Sequence, residues 1–244
     1  MIIVGRGYDL KWIGFYTARQ RKRAYRLLLV CILLLIFGAI LGGMGYFVYH
    51  RFFAAPKPEK IRFLPDAGLT YLGDIPIYED FIPEEAAGRI LQKREIKYIV
   101  IHETGNTSPG ADAAAHNSFI HNNSMTVEHS WHYTVDDHEI YHHLPDDEPA
   151  YHAGDHLVED GGNLNGIGVE ICIAEDNDYE KTLDHAAQLA AKLLSEYDLT
   201  PKAMRMHQDF SGKTCPEIMI EQGGWEDFVA LVRQYYEEFS AQPE

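Results

Sequence analysis

Lys97-Tyr98-Ile99-Val100-Ile101-His102 and Ile167-Gly168-Val169-Glu170-Ile171-Cys172-Ile173 are the stretches that decide the fold. Both are short, apolar and rich in β-branched residues, so both read as strands. The second carries a single carboxylate, Glu170, in its middle. Working outward, residues 112–122 are alanine-rich and predict a helix. Trp131–Val135 alternates and runs into Asp136-Asp137, a strand entering a turn. Glu139–His143 is its return strand, and Met204–His207 is a short strand or loop. In Thr182–Tyr197, Leu183, Ala186, Ala187, Ala190, Leu193, Leu194 and Tyr197 recur at helical spacing. Trp225–Phe239 is a last amphipathic helix. Strands interspersed with helices of this length predict an α/β fold, a central mixed sheet flanked by helices.

Composition divides the 244 residues sharply. Residues 1–62 hold eleven Lys/Arg and two Asp/Glu, net +9, whereas residues 63–244 hold ten against 35, net −25. The acidic part lacks the basic footprint that nucleic-acid binding requires. It is too apolar and aromatic to be a disordered acidic tail. Cys31, Cys172 and Cys215 are too few and too scattered for a disulfide framework.

Leu27 to Tyr49 reads LLLVCILLLIFGAILGGMGYFVY, 23 residues without a charge. As a helix it would cover ~35 Å, enough to cross a hydrocarbon core of ~30 Å. A cleaved signal peptide would have a shorter apolar run and a small-residue cleavage site, and Phe53-Ala54-Ala55-Pro56 suits that poorly. The reading is an uncleaved transmembrane anchor at 27–49 behind a basic segment at 1–26. Arg6, Lys11, Arg19, Arg21, Lys22, Arg23 and Arg26 precede the span, against Arg51, Lys57, Lys60 and Arg62 after it. The denser N-terminal charge places that side in the cytoplasm and the acidic domain outside the cell. Residues 50–73, with Pro56, Pro58, Pro65 and Gly68, read as a linker, and the domain as residues 74–244.

Two metal-site readings compete. His138-Glu139-Ile140-Tyr141-His142 matches the H-E-x-x-H signature of zinc proteases, which needs a helix to put both histidines on one face. Asp136-Asp137 before it and Pro145 after it leave no room for that helix. As a strand, its histidines would stand ~13 Å apart. The second reading is dispersed: His102 at a strand end, His207 after Met204-Arg205-Met206, and Cys215 within Gly212-Lys213-Thr214-Cys215-Pro216. Two imidazoles and a thiolate suit zinc and leave a fourth position open for catalysis. With thirteen histidines in the chain, spacing alone does not single out this trio.

Tyr98–Asn106 resembles the opening strand of the type 2 N-acetylmuramoyl-L-alanine amidases, zinc-dependent cell-wall hydrolases of bacteria and phages. They are related to T7 lysozyme and the peptidoglycan recognition proteins. Further segments agree in order: Ser130–Asp137, Tyr151–Asp155, Asn165–Cys172, then His207 with Gly212–Pro216. The resemblance spans roughly residues 75–235 and fits the branch whose third metal ligand is cysteine. It implies His102, His207 and Cys215 as Zn2+ ligands, Glu170 as catalytic glutamate and Lys213 as catalytic lysine. It implies hydrolysis of the amide between N-acetylmuramic acid and L-alanine of peptidoglycan. Trp131, His132, Tyr151, His152 and Asn165 fall in segments that line the family's substrate groove. Tyr151 stands where many relatives have tryptophan.

Cys172 shares a strand face with Glu170 and reads as core. His116, His121, His129, His142, His143, His156 and His185 read as surface or hairpin residues. The alternative class is a non-catalytic recognition module that keeps the groove and loses hydrolysis. Retention of Cys215, Glu170 and Lys213 favours the enzyme. The expected arrangement is a single-pass protein whose extracellular domain faces the wall, with lipid bilayer and peptidoglycan as partners and no nucleic acid.

Overall fold

The computed structural model describes residues 26, 28–38, 42 and 68–241. Residues 28–38 are helical and exposed. Apart from residue 42, the remainder of the apolar stretch 27–49 lies outside the described residues. Among the described residues no helix is long and apolar enough to cross a membrane. The chain divides into two units, Met1–Phe63 and Leu64–Glu244.

The second unit is built on seven strands: β1 (Gly68–Leu72), β2 (Ile75–Glu79), β3 (Tyr98–Glu103), β4 (Tyr133–Val135), β5 (Ile140–His142), β6 (Gly166–Ile171) and β7 (Met204–Met206). Their order across the sheet is β1-β2-β5-β4-β6-β3-β7. Pairings β1–β2 and β4–β5 are antiparallel. Those of β2 with β5, β4 with β6, β6 with β3 and β3 with β7 are parallel, so the sheet is mixed. Gly68–Leu72, within the stretch 50–73 expected to be linker, is a strand that pairs along its whole length with β2. This edge strand buries only Leu72, so it carries little apolar signal.

One sheet face is covered by α3 (Tyr179–Glu196) and α6 (Trp225–Ser240). Asp178 caps α3 by accepting the Lys181 N–H, which satisfies one of the orphan donors of a helix start. Leu189, Leu193 and Leu194 of α3 pack with Ile99, Ile101, Val169 and Ile171 and with Phe228 and Val232 of α6. Alternation along the strands sends the other set of side chains to the opposite face. There α1 (Ala113–Asn123) covers Tyr141 and Cys172, with Asp112 capping α1 through Ala115 N. Three short helices, α2 (Gly162–Asn165), α4 (Gln208–Ser211) and α5 (Glu217–Glu221), complete the unit.

Candidate active site

Three neighbouring parallel strands deliver the central residues. His102 of β3 lies in register with Glu170 of β6. Ile101 pairs with Met206 at the end of β7, so the next residue, His207, falls beside His102, its N–H donating to the Ile101 carbonyl at 3.2 Å. Opposed residues of parallel neighbours point to the same face. Glu170, His102 and His207 therefore form a row across three strand ends. After α4 the chain turns back at Gly212, φ +77°, and the Cys215 carbonyl accepts from Gln208 N at 3.1 Å. That return brings Cys215 under the row.

His102, His207 and Cys215 are buried, with ligand atoms within 4.8 Å of one another. Nδ1 of His102 lies 3.0 Å from Nδ1 of His207 and 4.0 Å from Cys215 Sγ. Tetrahedral zinc with ligands at about 2.0–2.3 Å sets them roughly 3.3–3.6 Å apart, a range these separations bracket. Burial, then His152 and His207, holds the His102 imidazole neutral, well below the usual histidine range. Burial and Lys213 lower His207 to about 4. Burial, then Glu170, pushes the Cys215 thiol up to about 12. Two neutral imidazoles and a thiol that ionises on coordination form a donor set suited to zinc.

Glu170 Oε1 sits 3.9 Å from His102 Nδ1, and its side chain is 14% exposed. Its Oε2 is buried and makes no hydrogen bond among the described residues. Burial raises Glu170 to about 7, with Lys213 pulling the other way and Glu103 adding to the rise. Such a carboxyl is poised to exchange protons near neutral pH. It opens onto two adjoining grooves of about 350 and 460 Å³, and Lys213 and His129 line both.

Residues 92–218 match the family model described as N-acetylmuramoyl-L-alanine amidase. The chain belongs to this amidase family.

Among its curated relatives, N-acetylmuramoyl-L-alanine amidase XlyA of Bacillus subtilis is 41% identical over 154 residues, covering 63% of this chain and 50% of XlyA. CwlH of the same organism is 39% identical over 155 residues, covering 64% of this chain and 60% of CwlH. This amidase-family chain thus spans half to three-fifths of the length of those relatives. The structure of the catalytic domain of XlyA superposes with a TM-score of 0.60 at 40% identity, covering 64% of this chain and 98% of that domain. Staphylococcus aureus hydrolase AmiA, at 19% identity and a TM-score of 0.51, shares the fold.

The five residues expected in the substrate groove of this amidase-family domain divide. Tyr151 lines the larger groove, half-buried. Trp131 lines the smaller one, stacked on Phe119, although its indole N–H is committed to Thr134 Oγ1 at 2.7 Å. His132 is fully buried: Nδ1 accepts from Gly168 N and Nε2 donates to the Glu148 carbonyl, which leaves no free edge for substrate. Asn165 is buried, its Nδ2 donating to the Glu95 carbonyl at 2.8 Å. His152 borders the larger groove, but both ring nitrogens are engaged inside the protein.

Several histidines correct the expectation of surface or hairpin positions. His116 and His129 line the smaller groove and His156 the larger. His143 and His185 are buried. Phe119, His129 and Asn106 are groove residues that the sequence reading did not single out. Phe119 follows from a half-exposed position on α1, which no local pattern distinguishes from an ordinary helix surface. Cys172 is buried and free, with Sγ 3.8 Å from His116 Nδ1, in keeping with its reading as core. The H-E-x-x-H stretch is not a helix: His138 lies in a bend, exposed beside Asp137, and Ile140–His142 is strand β5, with His142 against Asp146 and Glu79.

Proposed function

We propose that this chain is a membrane-anchored, zinc-dependent N-acetylmuramoyl-L-alanine amidase acting on peptidoglycan. One observation carries the reading. A buried His102–His207–Cys215 cluster lies beside a partly exposed Glu170 at the meeting of two grooves. Zinc held there would polarise the scissile carbonyl and lower the pKa of a bound water.

The chain's own residues supply the rest. Glu170 takes the proton of the attacking water and returns it to the leaving amide nitrogen of L-alanine. Its orphaned, buried Oε2 is suited to that exchange. Lys213, on the wall shared by both grooves, offers positive charge to the oxygen that becomes anionic. Tyr151, Phe119 and Trp131 provide ring surface along the grooves on either side. The apolar run at 27–49 and its basic N-terminal flank support anchoring, with the catalytic unit outside the cell.

The test is incubation of the full chain, in detergent, with purified peptidoglycan. Mass spectrometry would seek stem peptides with new L-alanine amino termini. The reading requires their release, its loss on chelation and its restoration by zinc. Binding of peptidoglycan fragments without new termini, with zinc supplied, would instead make the chain a recognition module.

A further inference from the structure

His152 meets His102 at the ring nitrogen opposite the one that faces Cys215, and its hydrogen bonds run inward. Nε2 lies 3.2 Å from the Gly166 carbonyl. A carbonyl only accepts, so that nitrogen carries the proton. In a neutral imidazole the other nitrogen is then an acceptor. His152 Nδ1 faces His102 Nε2 at 2.9 Å, so His102 donates from Nε2. The remaining nitrogen of His102, Nδ1, is left with a bare lone pair directed at His207 Nδ1 and Cys215 Sγ.

We propose that His152 is a positioning residue: by accepting the Nε2–H of His102 it holds that ring in the tautomer and orientation that make Nδ1 a metal ligand. This rests on the metal-binding reading above and replaces the substrate contact expected of His152.

The surroundings are shaped for the task. A Cβ at Gly168 would stand 2.8–3.0 Å from the His152 ring, so the ring lies flat on the strand where only a glycine leaves room. The backbone N–H groups of His152 and Ala153 both donate to Asn163 Oδ1, at 2.8 and 2.6 Å. One asparagine therefore pins the segment that carries His152 against His102. Outer partners of this kind change metal affinity by about 10–100-fold when removed.

The experiment measures zinc affinity of the full chain by competition with a chromophoric chelator. His152→Leu, which has no acceptor, is expected to weaken zinc binding 10- to 100-fold. His152→Asn, whose Oδ1 can occupy the place of Nδ1, should recover most of it. With zinc saturating, KM for peptidoglycan should stay unchanged in both, whereas a substrate contact would raise it. Nitrogen-15 spectra of the zinc-free wild-type chain should show His102 and His152 both protonated at Nε2, a readout that stands even if His152→Leu does not fold. Wild-type zinc affinity in His152→Leu, or a His102 protonated at Nδ1, would overturn the proposal. Failure of the wild-type chain itself to bind zinc would instead sink the metal-binding reading.

Discussion

Glu170 and Asn165 sit five residues apart and show how burial separates chemistry from architecture. Glu170 lines both grooves, whereas Asn165 lines neither and donates its amide N–H to the Glu95 carbonyl that precedes β3, although each has one buried oxygen without a partner among the described residues. Glu170→Gln keeps the size and removes the proton exchange. We expect kcat to fall by about 10²–10⁴, with peptidoglycan binding and zinc content retained, measured by turnover and metal analysis on one preparation. Asn165→Ala should act differently. Loss of a buried hydrogen bond costs about 1–3 kcal/mol, so the unfolding midpoint in urea should drop while KM does not move. A raised KM at unchanged stability would return Asn165 to the groove. Cys215→Ser replaces the soft ligand of the cluster, and zinc content after dialysis should fall with it.

At the scale of elements, α1, β4 and β5 are joined by a hydrogen-bonded chain rather than by apolar contact alone. Trp131 Nε1–H donates to Thr134 Oγ1, whose hydroxyl faces His143 Nε2 at 2.8 Å. His143 Nδ1 faces Asn117 Oδ1 at 3.1 Å, and Asn117 Nδ2 donates to Asp80. The chain is satisfied with His143 neutral. Burial, then His142, holds His143 well below the ordinary range, and burial, then Arg94, does the same for His132. An unfolded histidine takes up its proton near pH 6.5. The unfolded state therefore binds more protons below that pH, and both groups lose stability for the fold as pH drops. Each contributes a slope of about 1.4 kcal/mol per pH unit between about pH 6.5 and its folded value. Urea unfolding followed by tryptophan fluorescence should be insensitive to these groups above pH 7 and steepen below 6.5. His143→Gln should be less stable at pH 7.5 and flatten the slope by one proton. On the other sheet face apolar packing governs. Leu193 of α3 is fully buried, and Leu193→Ala should cost about 2–5 kcal/mol.

At the scale of the whole molecule, the contrast between a basic N-terminal quarter and an acidic remainder becomes a statement about place. A domain of net −25 is repelled by anionic wall polymers rather than held by them. Our hypothesis is that the apolar run at 27–49 supplies the tethering that wall affinity does not. The full chain should stay with membranes through carbonate washing and leave them with detergent; release by carbonate would refute the anchor. A specific protease site introduced into residues 50–67 offers a second check. Cutting there should lower wall lysis in cells and leave hydrolysis of isolated peptidoglycan intact, and equal lysis before and after cutting would discard the tethering hypothesis.

The strands β3 and β6, the helices α3 and α6 and the hairpin of β4 and β5 were legible because each carries its own periodicity or turn chemistry. The resemblance of five ordered motifs to the amidase family implies the candidate metal cluster and Glu170, which spacing alone does not single out among thirteen histidines. Other parts were not legible: β2 and the short helices α2, α4 and α5 have no counterpart in the sequence reading. β1 escaped notice because an edge strand that buries one residue in five has almost no apolar signal. The sequence reading assigns His132, His152 and Asn165 to the substrate groove because groove residues and the residues beneath them come from the same short segments; their ring and amide hydrogen bonds run into the protein instead. A histidine reads the same whether its ring faces solvent or the Gly166 carbonyl. That difference arises from the packing of the His152 segment over Gly168 of β6, pinned by Asn163, a long-range contact that no local stretch of sequence encodes.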